Sequence, residues 1–287
     1  MQKKTTILII LFILNLFSWS IIFEQSQDKG LEVCFLDIGQ GDSIFIETSQ
    51  GHQVLIDSGP DNTLIKKLEQ RMPFWDRTID LIILTHSDKD HVFGFLEVLE
   101  NYEIKNILWT GAIGKSSLFE EWQEAIKNEG SNIWIAERGL VIHLPGERFF
   151  EILYPFQSLE GRQVSAMNDT SIVMMLNTDE EKILFTGDIS KTIENALIEN
   201  EILLKADILK VPHHGSKTSS SEEFLKAVDP DLAIISVGRD NSYGHPSPIV
   251  LARLEESGIK VLQTSKEKDI CLIQKKNEPF LFLSQTQ

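Results

Sequence analysis

Only two cysteines occur in 287 residues, Cys34 and Cys271. That excludes a disulfide-dense small scaffold, and two cysteines so far apart cannot be paired from sequence. Cys34 falls in the apolar stretch Leu31–Asp37, where a packed apolar thiol is the expected role. Basic residues are also scarce: 27 Lys and Arg stand against 43 Asp and Glu, for a net charge of −16 and a pI near 4.9. A general polyanion binder presents a basic field to phosphates, so that class is disfavoured. Repeats, low-complexity tracts and linkers are missing, and 42% hydrophobic residues can fill a core, so the chain is neither disordered nor collagen-like. No Gly-x-Ser-x-Gly elbow exists for a serine nucleophile. The run Gly111–Ser116 lacks the first glycine of a phosphate-cradling loop, because position 109 is Trp109.

There is one long hydrophobic run. Thr5–Phe23 carries no charge over 19 residues, and 14 of the 17 residues from Ile7 to Phe23 are apolar. As a helix it would measure about 28 Å at ~1.5 Å per residue, close to a bilayer's hydrocarbon core. Lys3 and Lys4 precede it and Glu24 and Asp28 follow, which places the N-terminus in the cytoplasm and the remainder outside. A signal peptide is the rival reading, but Ser18-Trp19-Ser20 offers no clear cleavage site. The expectation is an uncleaved anchor over residues 1–23, giving a single-pass protein of the cell membrane, or a secreted one if cleaved. Setting the anchor aside removes two lysines and no acid, which leaves −18 on the rest.

From Leu31 onward short apolar strands alternate with amphipathic helices. Strands are expected at 31–37, 42–48, 52–57, 80–85, 148–153, 171–177, 181–186, 207–211 and 232–237. Helices are expected at 62–71, 117–129 (stopped by Gly130), 190–202, 221–228 and 247–257. Hairpins are expected to turn through Ser49-Gln50-Gly51 and Thr178-Asp179-Glu180. This is the pattern of one α/β domain over residues 31–287.

Five of seven histidines fall on loops after these strands. The densest cluster is His86-Ser87-Asp88-Lys89-Asp90-His91, read as a turn on which four side chains can converge. Neutral imidazoles and carboxylates are what divalent ions need, and crowding them without a cation is costly. A calcium loop is excluded, since Asp88-x-Asp90 lacks the glycine and closing glutamate of an EF-hand. Asp57, Asp188, Asn168, His213-His214-Gly215-Ser216 and Tyr243-Gly244-His245-Pro246 flank further strands. Each is ordinary alone; together they crowd the strand ends where open α/β sheets build sites. His52 and His143 belong to hairpin contexts and read as structural.

In this order, Asp57, the His86–His91 cluster, Thr186-Gly187-Asp188 and a later histidine resemble the metallo-β-lactamase superfamily. Phe35–Ser43, His213–Ser216 and Tyr243–Pro246 narrow the resemblance to the extracytoplasmic hydrolase domain of the ComEC competence proteins, over about residues 31–274. The resemblance implies an αββα sandwich and two divalent metals, Zn²⁺ or Mn²⁺. His86 and Asp88 would hold the first metal, and Asp90, His91 and His213 the second. Asp188 would bridge them and Asp57 would brace the cluster from behind. Asn168 stands where the superfamily usually has another histidine, which makes the first site looser and the set rich in oxygen. His214 is the alternative to His213, which is preferred for being nearer the strand end.

The implied activity is hydrolysis by a metal-activated hydroxide. Asp90 would orient it, and Ser216, Lys217, Ser219 and the 238–245 loop would support the anion. His245 would bind substrate or protonate the leaving group. A phosphodiester is the expected substrate, whether nucleic acid or an envelope polymer such as choline-phosphate-bearing teichoic acid. A lactam or lactone is the weaker alternative. No protein partner is identifiable. The chain lacks ComEC's many membrane segments, so its DNA-transport role does not carry over.

Overall fold

In the computed structural model residues 2–25 and 30–283 are described, without the side chains of 2–4, 8, 17, 18, 20–25 and 283. Asp28 and residues 284–287 of the expected domain lie outside the described residues. The apolar run forms helix α1 (Gln2–Gln25), along which Leu11, Phe12 and Trp19 are exposed. Among the described residues no helix is long and apolar enough to cross a membrane, so the structure does not bear out the spanning reading.

The rest forms two stacked sheets. The first collects β1 (Leu31–Phe35), β2 (Ile44–Glu47), β3 (Gln53–Ile56), β4 (Thr78–Ile83), β5 (Glu103–Trp109) and β6 (Asn132–Ile135). The second collects β7 (Val141–His143), β8 (Phe149–Tyr154), β9 (Val173–Asn177), β10 (Lys182–Phe185), β11 (Ile208–Lys210), β12 (Leu232–Ile235) and β13 (Lys260–Gln263). The chain then returns, and β14 (Ile270–Gln274) and β15 (Leu281–Leu283) complete the first sheet in the order β15-β14-β1-β2-β3-β4-β5-β6. Strands β10 to β13 pair in parallel, as do β3 to β6, so their carboxyl ends line one edge of each sheet.

Three apolar layers hold this together. Val54, Leu108, Phe150, Met174 and Phe185 fill the space between the sheets. Helices α2 (Thr63–Arg71), α3 (Lys89–Asn101) and α4 (Ser117–Glu129) cover the first sheet with Leu68, Phe95 and Trp122. Helices α5 (Lys191–Glu199), α6 (Glu222–Val228) and α7 (Pro248–Glu256) cover the second with Leu197, Phe224 and Leu254. The expected sandwich is therefore present. A buried Leu or Phe contributes roughly 1.5–3 kcal/mol, so the helices are held mainly by their inner faces.

Local signals explain several ends. Ser116 and Ser221 accept the backbone N–H groups of Phe119 and Phe224, capping α4 and α6. Gly130 ends α4 at φ 79°, the left-handed conformation a side chain disfavours. Both expected hairpins form, β2–β3 and β9–β10.

Two further expectations fail. The His86–His91 cluster is not a simple turn, because α3 begins within it: Asp88 is the N-cap and Asp90 and His91 lie in its first turn. The polar start masked Val92, Phe95 and Val98, which pack inward at helical spacing. Cys34 is not a free packed thiol either. It faces Cys271 across the β1–β14 ladder, and the two form a disulfide with Cα atoms 4.1 Å apart.

Candidate metal centre

The parallel strand ends deliver the donors. The loop after β4 carries His86 and Asp88, and α3 adds Asp90 and His91. The turn after β10 carries Asp188, and the turn after β11 carries both His213 and His214. One donor atom from each of Asp90, His91, Asp188 and His214 lies within 4.8 Å of the others. The Asp188 Oδ2 atom sits 3.4 Å from His91 Nε2 and 3.2 Å from His214 Nε2. Asp90 Oδ2 is 3.3 Å from the same His214 nitrogen.

The outer nitrogens are turned toward this point by bonds on the other side of each ring. His91 Nδ1 donates to Asp57 Oδ2 at 2.7 Å, and His214 Nδ1 donates to the Ser236 carbonyl at 2.9 Å. His86 Nδ1 meets the hydroxyls of Thr85 and Ser171 at 3.1 and 3.3 Å. The Nε2 atoms of all three rings are buried without a hydrogen-bond partner, as is Asp188 Oδ1. Orphaned buried nitrogens are costly, and three aimed among carboxylates fit divalent cations with their supporting bonds in place.

Electrostatics agree. Burial and the neighbouring His91 ring push His86 down to about 3, so its ring is neutral and free to bind a cation. Burial also disfavours charge on His91 and His214, but the facing carboxylates outweigh it and hold both well above the ordinary histidine value. For Asp188 burial is overcome by His214 and His91, and its carboxyl stays far below the usual range.

Asp57 lies behind the cluster as expected, fully buried and also accepting the Thr85 N–H and hydroxyl at 2.8 and 2.7 Å. His86 and Asp88 face each other more loosely, at 3.8 Å, with Asp88 half open to solvent. Asn168 stands across the cleft, its amide nitrogen 3.2 Å from His213 Nε2.

The structure brings His214, rather than the preferred His213, among these donors. His214 joins Asp90, His91 and Asp188, whereas His213 is 27% exposed and 3.9 Å from Asp188. Both residues take left-handed backbone angles, φ 50° and 53°, which swing the second ring inward and leave the first at the rim. Nearness to the strand end does not decide orientation here. The residues that follow, expected to support the anion, are bonded locally or exposed. The Ser216 hydroxyl pairs with Thr218, Ser219 bonds back to the Pro212 carbonyl, and Lys217 is exposed.

Two residues went unseen in the sequence. Asp42 is buried with an oxygen 3.4 Å from His214 Nδ1. Lys210, 1% exposed at the end of β11, forms an ion pair with Asp42 and lies 3.8 Å from Asp188 Oδ1. The signal was a single lysine inside the apolar run Ile208–Val211. Neighbouring Gly41 (φ 137°) lets its loop press on α3: a Cβ there would fall 2.4 Å from the Asp90 carbonyl oxygen.

A cleft of about 360 Å³ opens over these groups, with His245 and Tyr243 on its rim. Residues 36–239 match the model of the metallo-beta-lactamase superfamily. The chain belongs to that superfamily. ComE operon protein 3 of Bacillus subtilis (strain 168) is 32% identical over 256 residues, covering 83% of this chain and 32% of the relative. Recombination protein 2 of Haemophilus influenzae is 32% identical over 240 residues, covering 82% and 28%. The chain thus spans about a third of the length of the curated relatives it matches. Among solved structures, CmlA of Streptomyces venezuelae, a diiron β-hydroxylase, aligns at TM-score 0.53 and 15% identity over 86% of this chain and 54% of its own. Igni18, a metallo hydrolase of Ignicoccus hospitalis, aligns at 0.53 and 14% over 85% and 100%. Both likenesses are of fold. Within the superfamily, the ComEC-type competence proteins are this chain's relatives.

Proposed function

We propose that the chain is a metal-dependent phosphodiesterase acting outside the cytoplasm, with nucleic acid as the favoured phosphodiester. The observation that carries it is the convergence of Asp90, His91, Asp188 and His214 around three unpartnered imidazole nitrogens. In this reading those four residues hold one cation, and His86, Asp88 and Asp188 hold another, with Asn168 and His213 nearby. Bound divalent ions there supply Lewis-acid activation of water and neutralise charge on the scissile group.

The chain's own residues do the rest. Asp90 lines the cleft, where it would orient the attacking water. Asp57 and Ser236 fix the rings of His91 and His214, so the site needs little reorganisation on reaction. His245 lies at the mouth, and burial with His214 and His213 beside it holds it below the ordinary histidine value, which favours a neutral ring that binds substrate over one that protonates the leaving group. Relatives named for competence and recombination favour nucleic acid over other phosphodiesters.

The compartment rests on two supports. The Cys34–Cys271 disulfide suits an oxidising environment, and Lys3 and Lys4 stand before the apolar run. Attachment to a membrane through residues 1–23 belongs to the same proposal.

The test is a substrate panel for the full-length protein, loaded with Mn²⁺ or Zn²⁺: single-stranded DNA, RNA, bis-p-nitrophenyl phosphate, and nitrocefin for acyl chemistry. Cleavage of a phosphodiester, lost in a folded Asp90→Asn variant, is expected. Turnover of nitrocefin alone would overturn the reading.

A further inference from the structure

The metal cleft has an aromatic rim that hydrolysis does not require. The Tyr243 ring is 69% exposed and lies nearly parallel to the His245 ring, with centroids 5.8 Å apart and planes 19° apart. One face of the tyrosine is thus backed by histidine and the other is open. His245 meets His213 edge-on at 5.8 Å, so a continuous series of rings runs from the donor cluster to the rim.

The loop that carries Tyr243 is held rigidly. Asn241 donates to the carbonyls of Gly238 and His245 at 2.9 and 2.7 Å, and its own oxygen accepts the His245 N–H at 2.9 Å. Gln40 lines both the metal cleft and an adjoining hollow beside Arg239 and Asn241, so the two are contiguous. The cleft's 360 Å³ is the size of a small-ligand pocket rather than of a lone phosphate group.

Charge narrows what can lie there. At a net charge of −16 a broad basic field for a polyanion is disfavoured, and the hollow offers Arg239 beside Asp37 and Asp240. Base stacking needs no net positive charge, and every nucleobase has a face to offer. A bare glycerol phosphate chain gains nothing from an open tyrosine face. A choline headgroup would gain a cation–π contact, so phosphocholine competition is part of the test, and displacement of the oligonucleotide by phosphocholine would overturn base stacking.

We propose that Tyr243 is a stacking platform for the nucleobase next to the scissile phosphodiester of a single-stranded nucleic acid. This rests on the phosphodiesterase reading and adds the group that selects the substrate. It places recognition in one ring and the metal pocket rather than along a charged groove, which lets an acidic protein act on a polyanion.

The test compares full-length wild type, Tyr243→Ala, Tyr243→Phe and Tyr243→Trp. Binding of a labelled single-stranded oligonucleotide is followed by fluorescence anisotropy, with an intact strand and strands carrying an abasic site at successive positions. Wild type is expected to bind the intact strand about tenfold more tightly than one with the base missing at the stacked position. That preference should collapse in Tyr243→Ala and persist with Phe or Trp. Where cleavage occurs, the same ratios should appear in KM more than in kcat. Equal loss on intact and abasic strands, or a Phe variant as impaired as Ala, would overturn the platform. So would equal or better binding of poly(glycerol phosphate). The anisotropy readout does not depend on turnover, so a failure of the phosphodiesterase reading is seen separately, as absent cleavage.

Discussion

The Lys210 ammonium and the Asp42 carboxylate form a buried ion pair beside the donor cluster, each residue 1% exposed. A lysine so placed, 3.8 Å from an Asp188 oxygen, is a permanent cation in a site built for removable ones. Burial opposes its charge, but Asp42 and Asp188 outweigh that and keep the ammonium protonated above its ordinary range.

Lys210→Met should therefore destabilise the metal-free protein by about 3–5 kcal/mol, the cost of leaving a buried carboxylate unpaired. The metal-loaded protein should lose less, because bound cations restore positive charge beside Asp188. Denaturant unfolding with and without Mn²⁺ measures both, and equal losses would show that the lysine acts apart from the metals.

The two adjacent histidines should separate cleanly. His214→Ala removes a ring shared by Asp90 and Asp188, and bound metal should drop by about one equivalent. His213→Ala should keep the metal held by Asp90, His91 and Asp188. Elemental analysis after dialysis against limiting metal distinguishes them.

Metal uptake should release protons. His91 and His214 are held well above the ordinary histidine value in the metal-free site, so near neutral pH both are charged. A cation takes only the neutral ring. Calorimetric titrations at pH 7 in buffers of different ionisation enthalpy should report about one to two protons lost per protein, and apparent affinity should fall as pH is lowered.

Away from the site, Asp269 ties three elements together. It accepts from Lys67 at 2.7 Å, the Asp37 N–H at 2.8 Å and Arg71 at 3.0 Å. Burial alone would raise its carboxyl, but these partners prevail and the folded value is lowered. Its contribution is thus complete above the unfolded value near 4 and is lost as pH falls through the lower folded one. Asp269→Asn should cost about 3 kcal/mol at pH 7. The gap to wild type should close in acid, followed by urea unfolding at a series of pH values.

Much of this was legible because period and spacing are local. The short apolar runs Ile44–Ile46 and Val173–Leu176, each followed by turn-forming residues, mark the hairpins, and a His-x-Asp-x-Asp-His run is hard to explain without a cation. What stayed hidden depended on distant partners or on backbone angles. Asp42 reads as the first residue of the expected strand 42–48 until Lys210, from the other sheet, meets it. The choice between His213 and His214 turns on two left-handed residues in succession, which composition does not announce. Cys34 finds Cys271 only because the last part of the chain returns to the first sheet, 237 residues later.

That cross-link also has a mechanical side. Strand β1 is the point at which the chain enters the sandwich, and Cys34 is the fourth of its five residues. A pull from the N-terminal side reaches the β1 hydrogen bonds first. The disulfide passes such a load on to β14 through a covalent bond, so β1 cannot peel away alone. Arg71 lies against both sulfurs, at 3.0 and 3.2 Å, and reaches Asp269 with the same guanidinium. A load applied ahead of Leu31 would thus be shared among β1, β14 and α2 rather than borne by one strand.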